Sequence, residues 1–582
     1  MERGAIRERG AIRLAAAAIG LLLALAGAAW TARPPAPLGP DAPAGAFSAA
    51  RAEEEIRRIA AEPHPTGSAA NARVRGYLIA RLVGLGLATE TQTAPLGPRA
   101  RAKLEAWKTP APPEAEAVNI IGVAPGEDPS APAVLLMAHH DTVAGSPGAA
   151  DDAAGVAAIL ETARALAETP RRRDLIVLFT DAEELDSGGA KAFFGSALAR
   201  RVGVVVNLEA RGGGRALMFE TGPGDGPMMK LFAEAVGAPA ANSAAVMVYR
   251  LLPNVTDFTV ARRQGLAGFN FAFLGRPGLY HAPQATPDAV EPGAVQHMGD
   301  QLLDLTRALV SVPDLPGKGP DAVFCDLFGK ALAIYPATAG WGFLALSAAL
   351  FGFAAWRAGR AGSLSVAGVA AGVLQGVGLV LVCAALLEAA NRLSGGGAGG
   401  EYYDRLAAIP RLELQAGLIG AASLLFYAAA GARGEAWSRW LGLAVLVLGL
   451  SAAVQALAPA AGPVVAWPLT ATAVAAALCA AFDVRMGRPA MGILAAAVAV
   501  VGAFVLGLAH LAFLAVGPDL PAAMAGFVLI TALPAAPLLA GHGRARVAAA
   551  AAVALVAAAC AVALTVRFDA PAPTVPPYVQ AD

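Results

Sequence analysis

Hydrophobic and polar positions divide the chain into three stretches that differ in pattern. An apolar run, LAAAAIGLLLALAGAAW, occupies residues 14–30 and follows a short tract with four arginines. From about residue 45 to about residue 315, short apolar runs alternate with mixed and charged stretches, as they do in a globular domain. From about residue 335 to about residue 566, the sequence is almost unbroken Ala, Leu, Val and Gly. The pattern therefore predicts a globular domain and a membrane domain.

The apolar run near the N-terminus has two interpretations, a cleaved signal peptide and an uncleaved membrane anchor. The run is longer than the usual signal-peptide core of about 7–15 residues, which favours the anchor. The following segment, TARPPAPLGPDAPAGA, is rich in proline, as linkers often are. We therefore predict a cytoplasmic basic tail at 1–13, a transmembrane anchor at 14–31 and a Pro-rich linker at 32–46.

The C-terminal half contains eight apolar runs near the length of about 20 residues that a spanning helix requires. They lie at about 335–356, 365–390, 411–430, 439–459, 462–482, 490–516, 521–541 and 546–566. With the anchor they predict nine spans. We expect an eight-span membrane domain at 335–566, preceded by a connector at 316–334 and followed by a C-terminal tail at 567–582. The lipid bilayer is accordingly an expected partner.

The loops between these runs carry positive charge asymmetrically. If the N-terminal arginines are cytoplasmic, the arginine pairs of the loops also fall on the cytoplasmic side, as the positive-inside rule requires. These pairs are Arg357/Arg360, Arg433/Arg439, Arg485/Arg488 and Arg544/Arg546. The alternate loops are uncharged, acidic or, at 391–413, charge-balanced. This orientation places the globular domain outside the cytoplasm. The Ala-, Arg- and Gly-rich composition is typical of a GC-rich bacterial gene, so we expect an inner-membrane protein with a periplasmic globular domain.

Composition narrows the range of partners. The 582-residue chain has 56% hydrophobic residues, 15% charged residues and a formal net charge of zero, so its charge does not indicate a nucleic-acid partner. All four cysteines lie outside the globular stretch. Their positions offer neither a disulfide framework nor zinc-finger spacing. The oligomeric state stays open.

Within the globular stretch, β-rich runs alternate with helical stretches from about residue 115. AVNIIGVA, AVLLMAHHD, DLIVLFTDAEE and GVVVNLEA are typical of strands, whereas DDAAGVAAILETARALAE and GAKAFFGSALARR are typical of helices. The alternation predicts an α/β fold, a mostly parallel sheet flanked by helices. Ligands of such sheets bind at the carboxyl ends of the strands, where the ionisable clusters of this sequence also fall.

The stretch AHHDTVAGSPGAADDAAG, residues 138–155, concentrates ionisable side chains after a predicted strand. Successive side chains of a strand face opposite sides, so His139 and Asp141 share a face and His140 points away. A metal-bound imidazole usually donates its other N–H to a carboxylate. His139 with Asp141 behind it fits that arrangement. The ordinary alternative is that His139 and His140 are two surface histidines at a strand end. The carboxylates farther along the chain favour His139 as a metal ligand.

Those carboxylates occur as adjacent pairs. Asp151 and Asp152 open a predicted helix, and one of the two is expected to cap it. Glu183 and Glu184 follow the strand DLIVLFT. Adjacent side chains cannot point the same way, so a metal ligand beside a general base is a natural division of roles. A solvated turn is the alternative for paired glutamates in isolation.

The order H-x-D, P-G-x-x-D-D-x-x-G, D-x-E-E, N-L-E and Y-H resembles the two-zinc exopeptidase family. That family includes secreted aminopeptidases, glutamate carboxypeptidase and relatives of glutaminyl cyclase. HPTGSAANARVRGYL, VNLEARGGGRALMFETGP and NVTDFTV are more specific and resemble its multi-spanning branch, the endoplasmic-reticulum and vacuolar membrane metallopeptidases. The resemblance covers about residues 50–330 and implies a two-zinc peptidase domain, which we assign to 47–315.

The resemblance implies a role for each matching residue. Asp151 would bridge two zinc ions, with His139 and Glu209 completing one site and Glu184 and His281 the other. Many family members carry aspartate where Glu209 stands, and a glutamate at this position resembles the membrane branch of the family. Carboxylate and imidazole ligands without thiolate suit two Zn²⁺ ions per chain.

The remaining motif residues are implied to act in catalysis or in packing. Glu183 would be the general base, and Asp141 would orient His139. Tyr280, next to the ligand His281, matches a tyrosine that stabilises the oxyanion in relatives, with packing as the alternative. Asp257 of NVTDFTV is expected to be structural.

These expectations indicate a membrane-anchored zinc exopeptidase that hydrolyses peptide bonds with a metal-activated water. An aminopeptidase, which removes N-terminal residues from a peptide substrate, is the first interpretation. A carboxypeptidase and a glutaminyl cyclase-like enzyme are the enzymatic alternatives. A membrane scaffold with a vestigial peptidase domain is the non-enzymatic one, against which the complete ligand set and Glu183 argue.

Overall fold

The computed structural model describes residues 2–109, 111–397 and 401–579. The chain divides into two compact units. The helical unit comprises Met1–Ala32, Pro336–Gly400 and Ala408–Ala570, and the α/β unit comprises Arg33–Tyr335, Glu401–Ala407 and Pro571–Asp582. Met1 of the predicted basic tail, residues 398–400 of the predicted loop and residues 580–582 of the predicted C-terminal tail lie outside the described residues.

Helices occupy both units. In chain order they are α1 (Glu2–Ala32), α2 (Ala49–Ile59), α3 (Ala69–Gly84), α4 (Pro98–Ala106), α5 (Ala153–Ala165), α6 (Gly188–Phe194), α7 (Gly226–Ala235), α8 (Ser243–Leu251), α9 (Asp257–Arg263), α10 (Pro292–Ser311), α11 (Ala339–Arg360), α12 (Val366–Leu393), α13 (Tyr402–Gly431), α14 (Ala436–Leu457), α15 (Gly462–Phe482), α16 (Arg488–Val516), α17 (Met524–Leu539) and α18 (Ala545–Phe568). Helices α2 to α10 belong to the α/β unit.

The strands are, in chain order, β1 (Ala88–Pro95), β2 (Glu116–Ala124), β3 (Ala133–His139), β4 (Leu175–Thr180), β5 (Val202–Ala210), β6 (Gly213–Thr221), β7 (Ala267–Gly275), β8 (Ala322–Asp326) and β9 (Leu332–Pro336). The first seven form one sheet in the order β1-β2-β4-β3-β5-β7-β6, and β8 pairs with β9. The four central strands β4, β3, β5 and β7 are parallel, whereas β1, β2 and β6 pair antiparallel. The predicted α/β fold is confirmed, as a mixed sheet whose parallel part lies at the centre.

Side chains of the central strand β3 alternate between two hydrophobic layers. Val134 and Leu136 pack in the layer that contains α5 and α10, whereas Leu135 and Met137 pack in the layer that contains α6 and α9. A sheet covered on both faces buries every side chain of its central strands, so those strands are continuous apolar runs in the sequence. The cover also leaves the carboxyl ends of these strands as the place where polar side chains gather.

The helical unit supplies the candidate membrane spans. Among the described residues, nine helices are long and apolar enough to cross a bilayer, the first at Gly10–Ala32 and the last at Ala545–Phe568. Their number equals that of the predicted spans. Helix α1 packs against α16 through small residues, because a Cβ at Gly20 would lie 2.9 Å from the Val498 Cβ and one at Gly502 would lie 2.7 Å from the Ala24 Cβ. Such small residues let helix backbones approach closely in membranes.

Helix α13 begins earlier than the apolar pattern predicts. The predicted span starts at residue 411 after a loop at 391–413, but the helix starts at Tyr402. The loop prediction is wrong over these residues because hydropathy marks only the apolar part of a helix. Asp404 lies in the first turn, where a negative charge is favourable next to the helix N-terminus. The early start gives the α/β unit its short segment Glu401–Ala407.

Candidate metal centre

The carboxyl ends of the parallel strands bring the ionisable motif residues together. His139 is the last residue of β3, and Glu183 and Glu184 follow β4. Glu209 lies near the end of β5, and His281 follows β7. Asp151 lies in the loop before α5, which begins after the cap residue Asp152. Because the four strands run in one direction, motif residues that are spread over more than a hundred positions of sequence lie at one edge of the sheet.

His139, Asp151 and Glu209 form the first potential ligand group. One ligand atom from each lies within 4.8 Å of the others. His139 Nε2 is 3.2 Å from Asp151 Oδ1 and 3.9 Å from Glu209 Oε2. His139 and Asp151 are buried, so the group is screened from bulk water.

Asp151, Glu184 and His281 form the second group, also within 4.8 Å of one another. His281 Nε2 is 3.0 Å from Glu184 Oε1 and 3.4 Å from Asp151 Oδ2. Asp151 therefore directs one carboxylate oxygen to each histidine. This is the arrangement that a carboxylate bridging two metal ions would have.

The hydrogen bonds behind His139 differ in one respect from the expected pattern. Its Nδ1 lies 2.9 Å from the backbone oxygen of Asp141 and 3.7 Å from the Asp141 carboxylate. The carboxylate instead accepts the backbone N–H groups of Glu183 and Glu184, at 3.1 and 3.3 Å. Asp141 thus contacts the imidazole mainly through its backbone and fixes the turn that carries the two glutamates.

The same turn and the His281 loop contain strained backbone. Ala182 has a φ of 61° and His281 a φ of 55°, a left-handed conformation that side chains other than glycine seldom adopt. Such conformations persist where the surrounding structure holds them, and they cluster at functional sites. Ala182 directly precedes Glu183, and His281 is itself a potential ligand.

Burial and charge shift the pKa values of the clustered groups. Burial raises the pKa of Glu183 and of Glu209 well above the ordinary value, and the negative charge of Glu209 adds to the effect at Glu183. Burial lowers the pKa of His139 and of His281, but the carboxylates beside them outweigh it and hold both pKa values well above the ordinary range. The cluster therefore contains more carboxyl groups than can ionise together without cations, and bound cations would favour their ionised forms.

The donor set fits zinc. It contains imidazole and carboxylate donors and no thiolate, a combination that binds Zn²⁺. His281 Nε2 makes no hydrogen bond among the described residues, although two carboxylates lie within 3.4 Å. A nitrogen that faces carboxylates without hydrogen bonding to them is placed as a metal ligand would be.

Tyr280 and Asp257 lie beside this cluster. The Tyr280 ring stacks on the His281 imidazole, with centroids 3.7 Å apart and planes 24° apart. Asp257 is buried at the start of α9, and its Oδ2 accepts a hydrogen bond from Thr180 Oγ1 at 2.5 Å. This bond joins α9 to the end of β4, as a structural residue would.

Two residues at the centre were missed by the sequence analysis. The Tyr403 hydroxyl lies 2.9 Å from His281 Nδ1, and the Tyr578 ring lies beside Trp107. By contrast, His140 turns away from the cluster, with Nε2 3.1 Å from the Val118 backbone oxygen. The strand alternation predicted that orientation of His140.

Comparisons with known proteins agree with the motifs. Residues 119–306 match the model of peptidase family M28. The vacuolar membrane protease of Eremothecium gossypii is 30% identical over 303 residues, 49% of this chain and 29% of its own. Endoplasmic reticulum metallopeptidase 1 of Rattus norvegicus is 31% identical over 233 residues, 38% of this chain and 26% of its own. The predicted resemblance to these membrane metallopeptidases is confirmed.

The chain covers less than a third of the length of these curated relatives. Among solved structures, an aminopeptidase from Aneurinibacillus sp. strain AM-1 is similar with a TM-score of 0.37 and 16% identity. The similarity covers 47% of this chain and 97% of that protein. A glutaminyl cyclase from Porphyromonas gingivalis is similar with a TM-score of 0.35 and 18% identity, over 45% and 98% of the two chains.

Proposed function

We propose that this chain is a membrane-anchored zinc metallopeptidase that hydrolyses peptide bonds as an aminopeptidase. The observation that carries the proposal is that two groups of three potential ligands share Asp151. All five residues lie within the stretch that matches peptidase family M28. The proposed organisation is an anchor at 14–31, a peptidase domain at 47–315 and a membrane domain at 335–566.

Two zinc ions per chain are the proposed cofactors. His139, Asp151 and Glu209 would hold one ion, and Asp151, Glu184 and His281 the other. The three carboxylates bring a charge of −3 against +4 from the ions, so a single further negative charge would balance the site. When bound, the ions supply Lewis-acid activation of the attacking water and of the scissile carbonyl group.

Glu183 is the proposed general base. It is adjacent to the ligand Glu184, and its carboxylate lies in a cluster with His139 and Glu184 within 4.8 Å. From there it takes the proton of the attacking water and returns it to the leaving amine. Asp141 holds Glu183 in place through the backbone N–H. The Tyr280 hydroxyl is proposed to donate a hydrogen bond to the oxygen that gains negative charge.

Aminopeptidase action is favoured by the charge around the centre. Glu183, Asp257 and Asp152 add carboxyl groups to those of the ligands, and burial raises the pKa of all three, so the positively charged amine at the N-terminus of a peptide would stabilise their ionised forms. A carboxypeptidase has one observation in its favour, because the Arg211 guanidinium lies 6.0 Å from the Tyr280 ring centroid. An arginine there would suit a C-terminal carboxylate.

The substrate is proposed to be a peptide outside the cytoplasm, presented to an enzyme in a bacterial inner membrane. The support is the positive-inside distribution of the loop arginines together with the nine candidate spans among the described residues. A cysteine placed in the Pro-rich linker of cells that express the chain would react with a membrane-impermeant maleimide if this orientation holds. Protection of that cysteine until the cells are lysed would reverse it.

A peptide panel with the full-length chain in detergent tests the proposed activity. It contains a free pentapeptide, the same peptide with an acetylated N-terminus, and one that begins with glutamine. An aminopeptidase shortens the first from its N-terminus and leaves the acetylated one intact. Shortening of the acetylated peptide from its C-terminus would instead show a carboxypeptidase, and loss of ammonia from the third a cyclase. Turnover of none, with zinc bound, would support the scaffold alternative.

A further inference from the structure

Two short segments outside residues 33–335 belong to the α/β unit. One, 401–407, contains the first turns of α13, and the other, 571–579, follows α18. The segments are joined to each other by a hydrogen bond in which the Ala572 N–H donates to Asp404 Oδ1 at 2.5 Å. Both therefore lie together, although a long stretch of helical sequence separates them in the chain.

Tyr403 contacts the metal centre through His281. With His281 Nε2 as the proposed metal ligand beside Glu184 and Asp151, the ring proton would be on Nδ1. That N–H donates to the Tyr403 hydroxyl oxygen at 2.9 Å. Metal-bound imidazoles usually donate their second N–H to an acceptor that fixes the ring orientation. For His139 this acceptor is the Asp141 backbone; for His281 it is Tyr403.

The approach of 401–407 to the His281 loop is close. A Cβ added at Gly278, three residues before His281, would lie 2.9 Å from the Ala407 Cα. The Tyr403 ring centroid lies 6.3 Å from that of Tyr280 and 5.8 Å from that of His281. The contact is therefore a packed aromatic group rather than a single hydrogen bond.

Tyr578 approaches the centre from the side of the glutamate turn. Its ring centroid lies 5.8 Å from that of Trp107. It packs against the hydrophobic cluster that contains Ala182 and Leu185, the residues on either side of Glu183 and Glu184. Its neighbour Pro577 lies against Gly145, where an added Cβ would be 3.1 Å from the proline Cδ. The ring is held in place on two sides.

The Tyr578 hydroxyl is buried and forms no well-aligned hydrogen bond among the described residues, although it interacts with the neighbouring Tyr403 hydroxyl. A buried hydroxyl without a partner is costly, and such groups are expected to find one. Burial raises the pKa of Tyr578, and the neighbouring Tyr403 hydroxyl raises it further, so the group keeps its proton. The Tyr578 ring packs beside the turn that carries Glu183 and Glu184, which places it at the edge of the proposed metal centre.

We propose that these two tyrosines complete the peptidase site: Tyr403 is a positioning residue for His281, and the Tyr578 hydroxyl donates a hydrogen bond to the bound substrate. The second half of this proposal, the role of the Tyr578 hydroxyl, rests on the proposed peptidase function. Both residues lie outside the family match at 119–306. The segments 401–407 and 571–579 would thus contribute to the active site.

Tyrosine-to-phenylalanine variants of the full-length chain test the proposal. Tyr403→Phe removes the acceptor of the His281 N–H, so the zinc dissociation constant, measured by chelator competition, is expected to rise by about tenfold or more. Tyr578→Phe removes only a donor to substrate. Its zinc affinity stays unchanged, whereas kcat and the affinity for the phosphonic acid analogue of leucine, a tetrahedral anion, each fall by about tenfold or more.

Tyr402→Phe is the matched control, because Tyr402 adjoins Tyr403 in α13 and is 46% exposed. It should leave zinc affinity, kcat and analogue affinity unchanged. Wild-type zinc affinity in Tyr403→Phe, or wild-type kcat and analogue affinity in Tyr578→Phe, would overturn the corresponding role. If the wild type hydrolyses no peptide, the proposed function fails, and zinc affinity and analogue binding still decide the roles of the two tyrosines.

Discussion

Asp151 Oδ1 lies 3.2 Å from His139 Nε2. The other oxygen of the same carboxylate lies 3.4 Å from His281 Nε2, so one side chain contacts both histidines of the centre. Burial raises the pKa of Asp151, but the two histidines outweigh burial and lower it to about 2. A carboxylate that stays ionised between two imidazoles is suited to bridge two cations.

The adjacent glutamates are expected to differ in role. Glu183→Gln removes the proposed base and should lower kcat by about 10²–10⁴-fold while zinc content is retained. Glu184→Gln removes a ligand and should lower zinc content as well as activity. Zinc content by inductively coupled plasma mass spectrometry and kcat on a free peptide measure the two effects. Equal loss of zinc in both variants would make Glu183 a ligand instead of a base.

His297 should make the stability of the α/β unit sensitive to acid. Its Nδ1 accepts the Ala216 N–H at 3.1 Å, and its Nε2 lies 3.0 Å from the Ala238 backbone oxygen, so the folded chain holds it neutral. Burial, with the positive charge of Arg215, lowers its pKa to about 3. The unfolded chain takes up the proton below about pH 6.5. The contribution to stability is therefore complete above pH 6.5 and is lost as the pH falls toward 3.

The variant His297→Gln removes this titration. Between pH 7 and pH 5, wild type should lose about 2 kcal/mol of unfolding free energy more than the variant does. Thermal unfolding of the full-length chain in detergent at the two pH values measures the difference in slope. Parallel losses in wild type and variant would show that His297 does not titrate in this way.

Two helical glycines should respond to alanine with opposite signs. A Cβ at Gly299 in α10 would lie 2.1 Å from the Phe47 ring, so Gly299→Ala overpacks the core and should cost about 1–3 kcal/mol. Gly76 in α3 has no atom within 4 Å of an added Cβ. Gly76→Ala should therefore stabilise by about 0.5–1 kcal/mol through helix propensity. Melting temperatures that shift in the same direction for both variants would contradict the packing described here.

The sequence predicted those parts of the fold whose pattern is local. Strands β2 to β5 are continuous apolar runs because both faces of the sheet are covered. Strand β1, by contrast, is the edge strand ATETQTAP, mostly exposed, and its polar composition gave no signal of a buried strand. The helix start at Tyr402 was missed for a similar reason, because polar first turns lie outside the apolar run.

The metal centre likewise contains residues that the sequence predicted and residues that it did not. The motif residues from His139 to His281 lie within one sequential pattern, so their proximity followed from strand ends that share one edge. Tyr403 reaches His281 across 122 residues of sequence, and Tyr578 lies beyond the last candidate span. Each is a tyrosine in a short segment next to an apolar run, and only its three-dimensional contacts connect it with the metal centre.

Zinc stoichiometry in Asp151→Asn tests the central claim most directly. The purified wild-type chain is expected to bind two zinc ions. Glu209→Gln, which alters one ligand group only, should retain about one tightly bound ion. Asp151→Asn weakens both groups at once and should retain neither under the same chelator wash. If Asp151→Asn keeps as much zinc as Glu209→Gln, or if the wild type binds a single ion, Asp151 does not bridge two metal sites.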